Sequence, residues 1–182
     1  MSLPTQMLQS AETGGTNNWL TPPSVFDPLH EEFNFTLDAA ADYGMERIPN
    51  FLSPDIDALT MDWAACSMGG SVFENPPYGR GIERWVEKAY LTGHQVPVVL
   101  LMFSNTSTLP WHKYVMQASE VRFIVGRVSF IAGEDIYKNV NGSPVLSLRK
   151  GETGPATKDS AIVVFRPGDF GNPRFSSWKM RK

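Results

Sequence analysis

Apolar residues recur along this chain in two rhythms, and the rhythm changes at places marked by proline and glycine. After Thr21-Pro22-Pro23-Ser24, where proline early in the segment marks a helix start, Val25, Phe26, Leu29 and Phe33 lie on one helical face that runs to about Glu32. Residues 35–40, Phe-Thr-Leu-Asp-Ala-Ala, read as a short buried strand ending in a carboxylate and small residues. Leu59 to Trp63 suggests a brief extended segment with Asp62 near its end. Residues 71–74 form a strand running into Asn75-Pro76-Pro77-Tyr78. Between Gly81 and Thr92, Ile82, Trp85, Val86, Ala89 and Tyr90 follow the spacing of an amphipathic helix, which Gly93 closes. Val96 to Phe103 is the most apolar run and predicts a central strand covered on both faces. A helix over 109–118 and strands over 120–125 and 160–166 complete the set. Residues 133–158 are polar and glycine-rich, with one segment, 145–148, that suits half of a hairpin.

Strands alternating with helices predict an α/β fold with a mostly parallel central sheet. Ligands of such sheets bind beyond the C-terminal ends of the strands. Asp38, Asp62 and Asn75 each fall at such an end. Residues 1–17 show little periodicity and are expected to be a flexible lead-in; residues 18–182 are expected to form a single domain.

Composition narrows the functional classes. The chain has no apolar run long enough for a membrane helix and no visible secretory signal. Its single cysteine, Cys66, excludes an internal disulfide and suits a reducing cytoplasm, the expected location. The three histidines lie far apart, so no metal site is expected. Oligomeric state is not written in the sequence, a monomer being slightly favoured. The net charge of −3 conceals an asymmetry: residues 1–78 carry eleven acids and one base, Arg47, whereas residues 79–182 carry fifteen bases and eight acids. A basic half can attract phosphates, and an acidic half suits a ligand with a cationic centre; an unevenly charged solvated surface is the alternative.

Asn75-Pro76-Pro77-Tyr78 matches the needs of methyl transfer to an amino group conjugated with an aromatic ring. Such a nitrogen is a poor nucleophile because its lone pair is delocalised. Acceptors aimed at both of its N–H groups return electron density to it. The Asn75 side-chain oxygen is one acceptor and the Pro76 carbonyl a second. The prolines stiffen the loop, and Tyr78 offers a face on which an extruded base can stack. Pro-Pro is also a common turn signal, and the placement between a strand and an amphipathic helix raises the functional reading above it.

The chain resembles the phage-type DNA N-6-adenine methyltransferases, small Dam-like enzymes with a Rossmann-like methyltransferase fold. The resemblance runs from about Trp19 to Gly168 through an ordered set of segments. These are Trp19-Leu20-Thr21-Pro22, Phe33 to Ala40, Asp57-Ala58-Leu59 with Asp62-Trp63, Asn75 to Gly79 followed by Trp85 to Ala89, Asn105 to Thr108 with Trp111-His112, Phe123 to Phe130, and Ser160 to Phe165. It implies S-adenosyl-L-methionine as methyl donor and a flipped adenine of double-stranded DNA as acceptor. It implies catalytic roles for Asn75, Pro76, Pro77 and Tyr78. Trp19, Thr21, Pro22, Asp38, Ala39, Ala40, Asp57, Asp62 and Asn75 would line the cofactor, with Asp62 reading its adenine and Asp57 its ribose. For each aspartate a helix cap or turn is the alternative, and for Asp57 it suits the residue as well as the ribose role does. The location implied is the bacterial host cytoplasm if the chain is phage-encoded.

Two departures stand out. The first loop, Leu37-Asp38-Ala39-Ala40-Ala41, lacks the glycines of the wider superfamily, and no separate target-recognition domain fits in the chain. Recognition is therefore expected from loops over 105–113 and 127–158, with Arg80, Lys113, Arg127, Arg149 and Lys150, and also Lys138 and Lys158, as candidate DNA contacts. Thr106 and Thr108 suit either the base pocket or a helix N-cap. The same tetrapeptide would also serve methylation of RNA adenine or of a protein glutamine amide, and a non-catalytic nucleic-acid-binding domain of this fold is a further alternative.

Overall fold

The computed structural model describes residues 19–44 and 46–181; the lead-in expected over 1–17 lies outside them. Four helices are present among the described residues: α1 (Pro23–Phe33), α2 (Trp63–Cys66), α3 (Ile82–Thr92) and α4 (Leu109–Lys113). The frame is a six-stranded sheet of β2 (Phe35–Asp38), β3 (Ser71–Glu74), β4 (Val98–Phe103), β5 (Glu120–Ile124), β10 (Ser160–Phe165) and β11 (Arg174–Trp178). Their spatial order is β11-β5-β10-β4-β3-β2. Around it lie a three-stranded sheet of β1 (Trp19–Leu20), β6 (Ser129–Ala132) and β9 (Thr153–Pro155), and a separate hairpin of β7 (Ile136–Val140) and β8 (Ser143–Leu148).

The expectation of an α/β, mostly parallel, Rossmann-like sheet is overturned. β2, β3 and β4 are parallel neighbours and so are β5 and β11, but β10 runs antiparallel to both β4 and β5. Both smaller sheets are antiparallel throughout. The fold is strand-rich and mixed, with eleven strands against four short helices among the described residues.

The cause lies in the connection. β5 ends at the same end of the sheet as β4, and residues 125–159 build the two small sheets there instead of a crossover helix. The chain is returned to that end, where Ser160 pairs with Phe103, and can only run back. β10 is buried at every position, so its sequence is a continuous apolar run that has no direction. The extended segment expected over 59–63 is also replaced: Ala58 to Thr60 is turn, and Asp62 caps α2. The helix expected over 109–118 divides into α4 and a 3-10 turn at Val115–Gln117.

Alternation along the central strands sorts the core into two layers. Val98, Leu100 and Met102 of β4, with Ala161, Val163 and Phe165 of β10, face Trp63, Val86, Ala89, Trp111 and Val115. Val99, Leu101, Ile162 and Val164 face the other way, toward Val25, Phe26 and Leu29 of α1 with Phe35 and Phe73. Each fully buried aliphatic or aromatic side chain contributes about 1.5–3 kcal/mol, and this double cover holds the ends of β2 and β3 rigid beneath the site.

Candidate active site

Beyond the C-terminal ends of β2 and β3 opens a cleft of about 540 Å³. Trp19, Thr21, Asp38, Ala40, Asp57, Asn75 and Pro77 all line it, so residues far apart in sequence meet at one place. The parallel pairing of β2 with β3 explains the meeting, since Asp38 stands opposite Phe73 in register and Asn75 follows two residues later. β1 supplies Trp19 because it pairs with β6, Trp19 opposite Ala132.

Asn75 is held at both ends of its amide. Its Nδ2 donates to the Trp19 carbonyl at 3.4 Å, and its Oδ1 accepts from the Tyr78 hydroxyl at 3.0 Å. A carbonyl oxygen has two lone pairs, so Oδ1 keeps one acceptor position for a further donor. The Tyr78 ring stacks on Phe103 with centroids 4.0 Å apart, and Phe130 meets it edge-on at 6.3 Å. Burial, with a smaller contribution from Glu74, pushes the Tyr78 phenol well above its ordinary range, so it remains a proton donor. Pro76 is buried and Pro77 half-buried. The chain leaves this loop through Gly79 and Gly81, at φ of 131° and 93°, backbone that L side chains rarely adopt. That turn brings α3 back against the sheet.

Electrostatically the site is unusual. Asp38 is buried, and its carboxyl is pushed up to about 7, because desolvation outweighs the hydrogen bond from the Ala40 N–H and the attraction of Arg47. Glu74 is fully buried, and neither of its carboxylate oxygens has a hydrogen-bond partner among the described residues. Its burial, and secondarily the neighbouring Asp38, push its carboxyl well above the usual range, so its ionisation is disfavoured.

Other predicted site residues stand elsewhere. Asp62 is the N-cap of α2, its Oδ1 accepting from Ala64 and Ala65, and it does not line the cleft. Asp57 lines the cleft while its Oδ1 also accepts from the Leu59 N–H at 3.2 Å, so turn and lining positions coincide. Pro22 and Ala39 are buried beside the cleft without lining it. Of the basic candidates, Arg80 is exposed just after the tetrapeptide. Lys113 lies 3.7 Å from Glu83, and Arg127 lies 3.8 Å from Asp159. Arg149 and Lys150 are both exposed where the chain leaves β8. Among the described residues no group of three or more His, Cys, Asp or Glu is placed to hold a metal ion, and no helix is long and apolar enough to cross a membrane.

Sequence reading passed over Arg47, Trp85, Phe103 and Glu74. Arg47 and Trp85 line the cleft, Phe103 backs the tyrosine, and Glu74 lies beneath. Two of these left a signal: Arg47 is the single basic residue of the first 78, and Glu74 is a carboxylate at the end of an otherwise apolar strand.

Comparison with known proteins follows the same line. The family described as DNA N-6-adenine-methyltransferase (Dam) matches residues 10–160. A DNA N-6-adenine-methyltransferase of Haemophilus phage HP1 (strain HP1c1) is 32% identical over 155 residues, covering 82% of this chain and 78% of the relative.

Proposed function

Because the chain belongs to the DNA N-6-adenine-methyltransferase (Dam) family, we propose that it methylates N6 of an adenine flipped out of double-stranded DNA, using S-adenosyl-L-methionine held in the cleft beyond β2 and β3. The observation that carries this reading is the doubly anchored amide of Asn75 at the rim of that cleft.

The residues present fit the donor. The cleft combines the carboxylates Asp38, Asp42 and Asp57 with one guanidinium and with Trp19, Ile56 and Trp85 as apolar walls. A buried nitrogen of Arg47 there has no hydrogen-bond partner among the described residues. When bound, the cofactor supplies a methyl carbon made electrophilic by its cationic sulfur. The protein's part is positioning and preorganised hydrogen bonding. The vacant lone pair of Asn75 Oδ1 and the Pro76 carbonyl accept the two amino hydrogens of adenine, localising the lone pair on N6. Tyr78 has one face against Phe103 and offers the other to the base, while its hydroxyl fixes the Asn75 amide. The bound donor would supply its methyl group to N6 held in this way by Asn75 and Pro76, and the proton then surplus on N6 would pass to water. The β7–β8 hairpin, which pairs with no other strand among the described residues, is the surface proposed to read DNA, with Arg80, Lys113, Arg127, Arg149 and Lys150 toward the backbone.

Replacing Asn75 with Ala tests this. Incorporation of labelled methyl groups into duplex DNA is expected to fall by about 10²–10³-fold, a larger loss than any in cofactor affinity measured by calorimetry. Undiminished methylation would overturn the assignment. Tyr78→Phe, which keeps the stacking face and loses the bond to Oδ1, is expected to fall between the wild type and Asn75→Ala.

A further inference from the structure

Arg47 is the one basic side chain lining the cleft among the described residues. Its Nη2 donates to the Thr21 carbonyl at 2.7 Å. Its Nε is buried and has no hydrogen-bond partner among the described residues. No acid among the described residues stands within 4.0 Å of its guanidinium, although Asp38 on the same wall feels its charge. A part-buried guanidinium without an anion is a costly arrangement, and so is a buried carboxyl without a cation. The two face one cleft without closing on each other, which leaves a place for a group carrying both complementary charges. An α-amino acid carries an ammonium and a carboxylate on one carbon, and it fits that place.

We propose that Arg47 receives the carboxylate of the methyl donor's amino-acid end while Asp38 takes its ammonium. The nucleoside then lies along the loop over 52–58, whose Leu52, Pro54, Ile56, Asp57 and Ala58 form the remaining wall. This assignment rests on the reading of the cleft as the cofactor site and sets which way round the donor lies in it. It also accounts for the presence of a single arginine among eleven acids in the first 78 residues: a wholly acidic cleft would repel the donor's carboxylate.

Two ligands that differ at the amino-acid end test it by calorimetry on the full chain. S-adenosyl-L-homocysteine carries the carboxylate and ammonium; 5′-methylthioadenosine carries neither. Arg47→Ala is expected to weaken S-adenosyl-L-homocysteine by roughly 10–100-fold, the range of a charge-assisted hydrogen bond, and to leave 5′-methylthioadenosine within about threefold. Arg47→Lys, which keeps the charge without the planar fork, is expected to lie between. Arg47→Met keeps the bulk of the stem should the alanine variant fold poorly, and its binding of 5′-methylthioadenosine reports an intact cleft. Equal weakening of both ligands would reduce Arg47 to a brace for the Thr21 carbonyl and overturn the proposal, as would an unchanged affinity for S-adenosyl-L-homocysteine. A wild-type protein that binds neither ligand overturns the cofactor reading of the cleft itself, a result distinct from either of these.

Discussion

At the end of the main sheet where β5 and β11 begin, Glu120 accepts from Arg122 at 2.8 Å and from Arg166, with Arg174 at 3.4 Å. Arg122 in turn forks onto Glu32 with two bonds of 2.6 Å. At the opposite end, where β2 and β3 stop, Asp38 and Glu74 are more deeply buried than Glu120 and have no ion pair among the described residues. Burial alone would raise Glu120, but the arginines outweigh it and hold its carboxyl below the ordinary range; at the other end burial wins and both carboxyls are raised. One end of the sheet is arranged for stability. The other tolerates buried carboxyls whose ionisation is disfavoured, where a ligand with cationic groups is proposed to bind, and such sites commonly cost stability.

The same contrast alters the reading of the charge asymmetry. Arg122, Arg166 and Arg181 belong to the basic half, yet they bond Glu32 and Glu31 of the acidic half. Part of the imbalance is therefore a tie between the halves inside the fold, not two opposed surfaces.

The largest stability effect is expected from breaking the framework end. Glu120→Ala leaves Arg122, a buried residue, with one fewer carboxylate, and a loss of about 1–3 kcal/mol is expected in urea unfolding at neutral pH. No loss would dissolve the contrast between the two ends. Glu74→Gln is expected to act in the opposite direction, raising stability by about 0.5–2 kcal/mol at pH 7 while methylation falls or stays constant.

The pH dependence follows from linkage. Glu74 ionises in the unfolded chain above its ordinary value of 4.5 and is raised well above it in the folded chain, so the wild type loses stability as pH rises above 4.5, and the gain of the glutamine variant grows with it. Asp38, raised from 3.8 to about 7, has the same sign, its contribution falling between those two values. Glu120, lowered from 4.5, has the reverse sign: its stabilisation is present above 4.5 and lost as pH falls through its folded value. Urea midpoints of Glu74→Gln and Glu120→Gln across pH 4–8, as differences from the wild type, should therefore diverge on opposite sides; parallel curves would refute the sign assignment.

The smallest effect separates basic residues by role. Lys150→Ala, on the exposed turn after β8, is expected to lower the slope of log affinity for duplex DNA against log salt by about 1. Arg174→Ala, whose partners are Glu120 and Asp169, should leave that slope unchanged and cost at most about 1 kcal/mol of stability. Equal slopes for the two variants would erase the distinction between framework cations and DNA-facing ones.

Much of the site was legible because its signals are local. The turn at Asn75-Pro76-Pro77-Tyr78 follows from prolines after a short strand, and α3 follows from apolar spacing alone. Asp62 was open to two readings because an aspartate before a short helix is a cap as readily as a ligand, and in the structure its Oδ1 accepts from Ala64 and Ala65. β11 left little trace, since Arg-Phe-Ser-Ser-Trp lies at an edge and is mostly exposed, so no apolar pattern was required of it. β1 has two residues and exists only because β6 is there to pair with it.

The sequence by itself determined the stiff proline loop, the two 11-residue helices, the apolar central strands and the family to which they belong, since each depends on neighbours in the chain. The tertiary structure alone decided the direction of β10, because a strand buried on both faces reads the same either way and the preceding excursion delivers it to one end. It alone decided that Arg47, Asp38 and Asn75 share a cleft, and that the Tyr78 hydroxyl and the Trp19 carbonyl orient one amide between them. Those relations join residues up to 56 positions apart; they are set by strand pairing and burial, and pairing between distant segments leaves no period in a sequence for a local pattern to reveal.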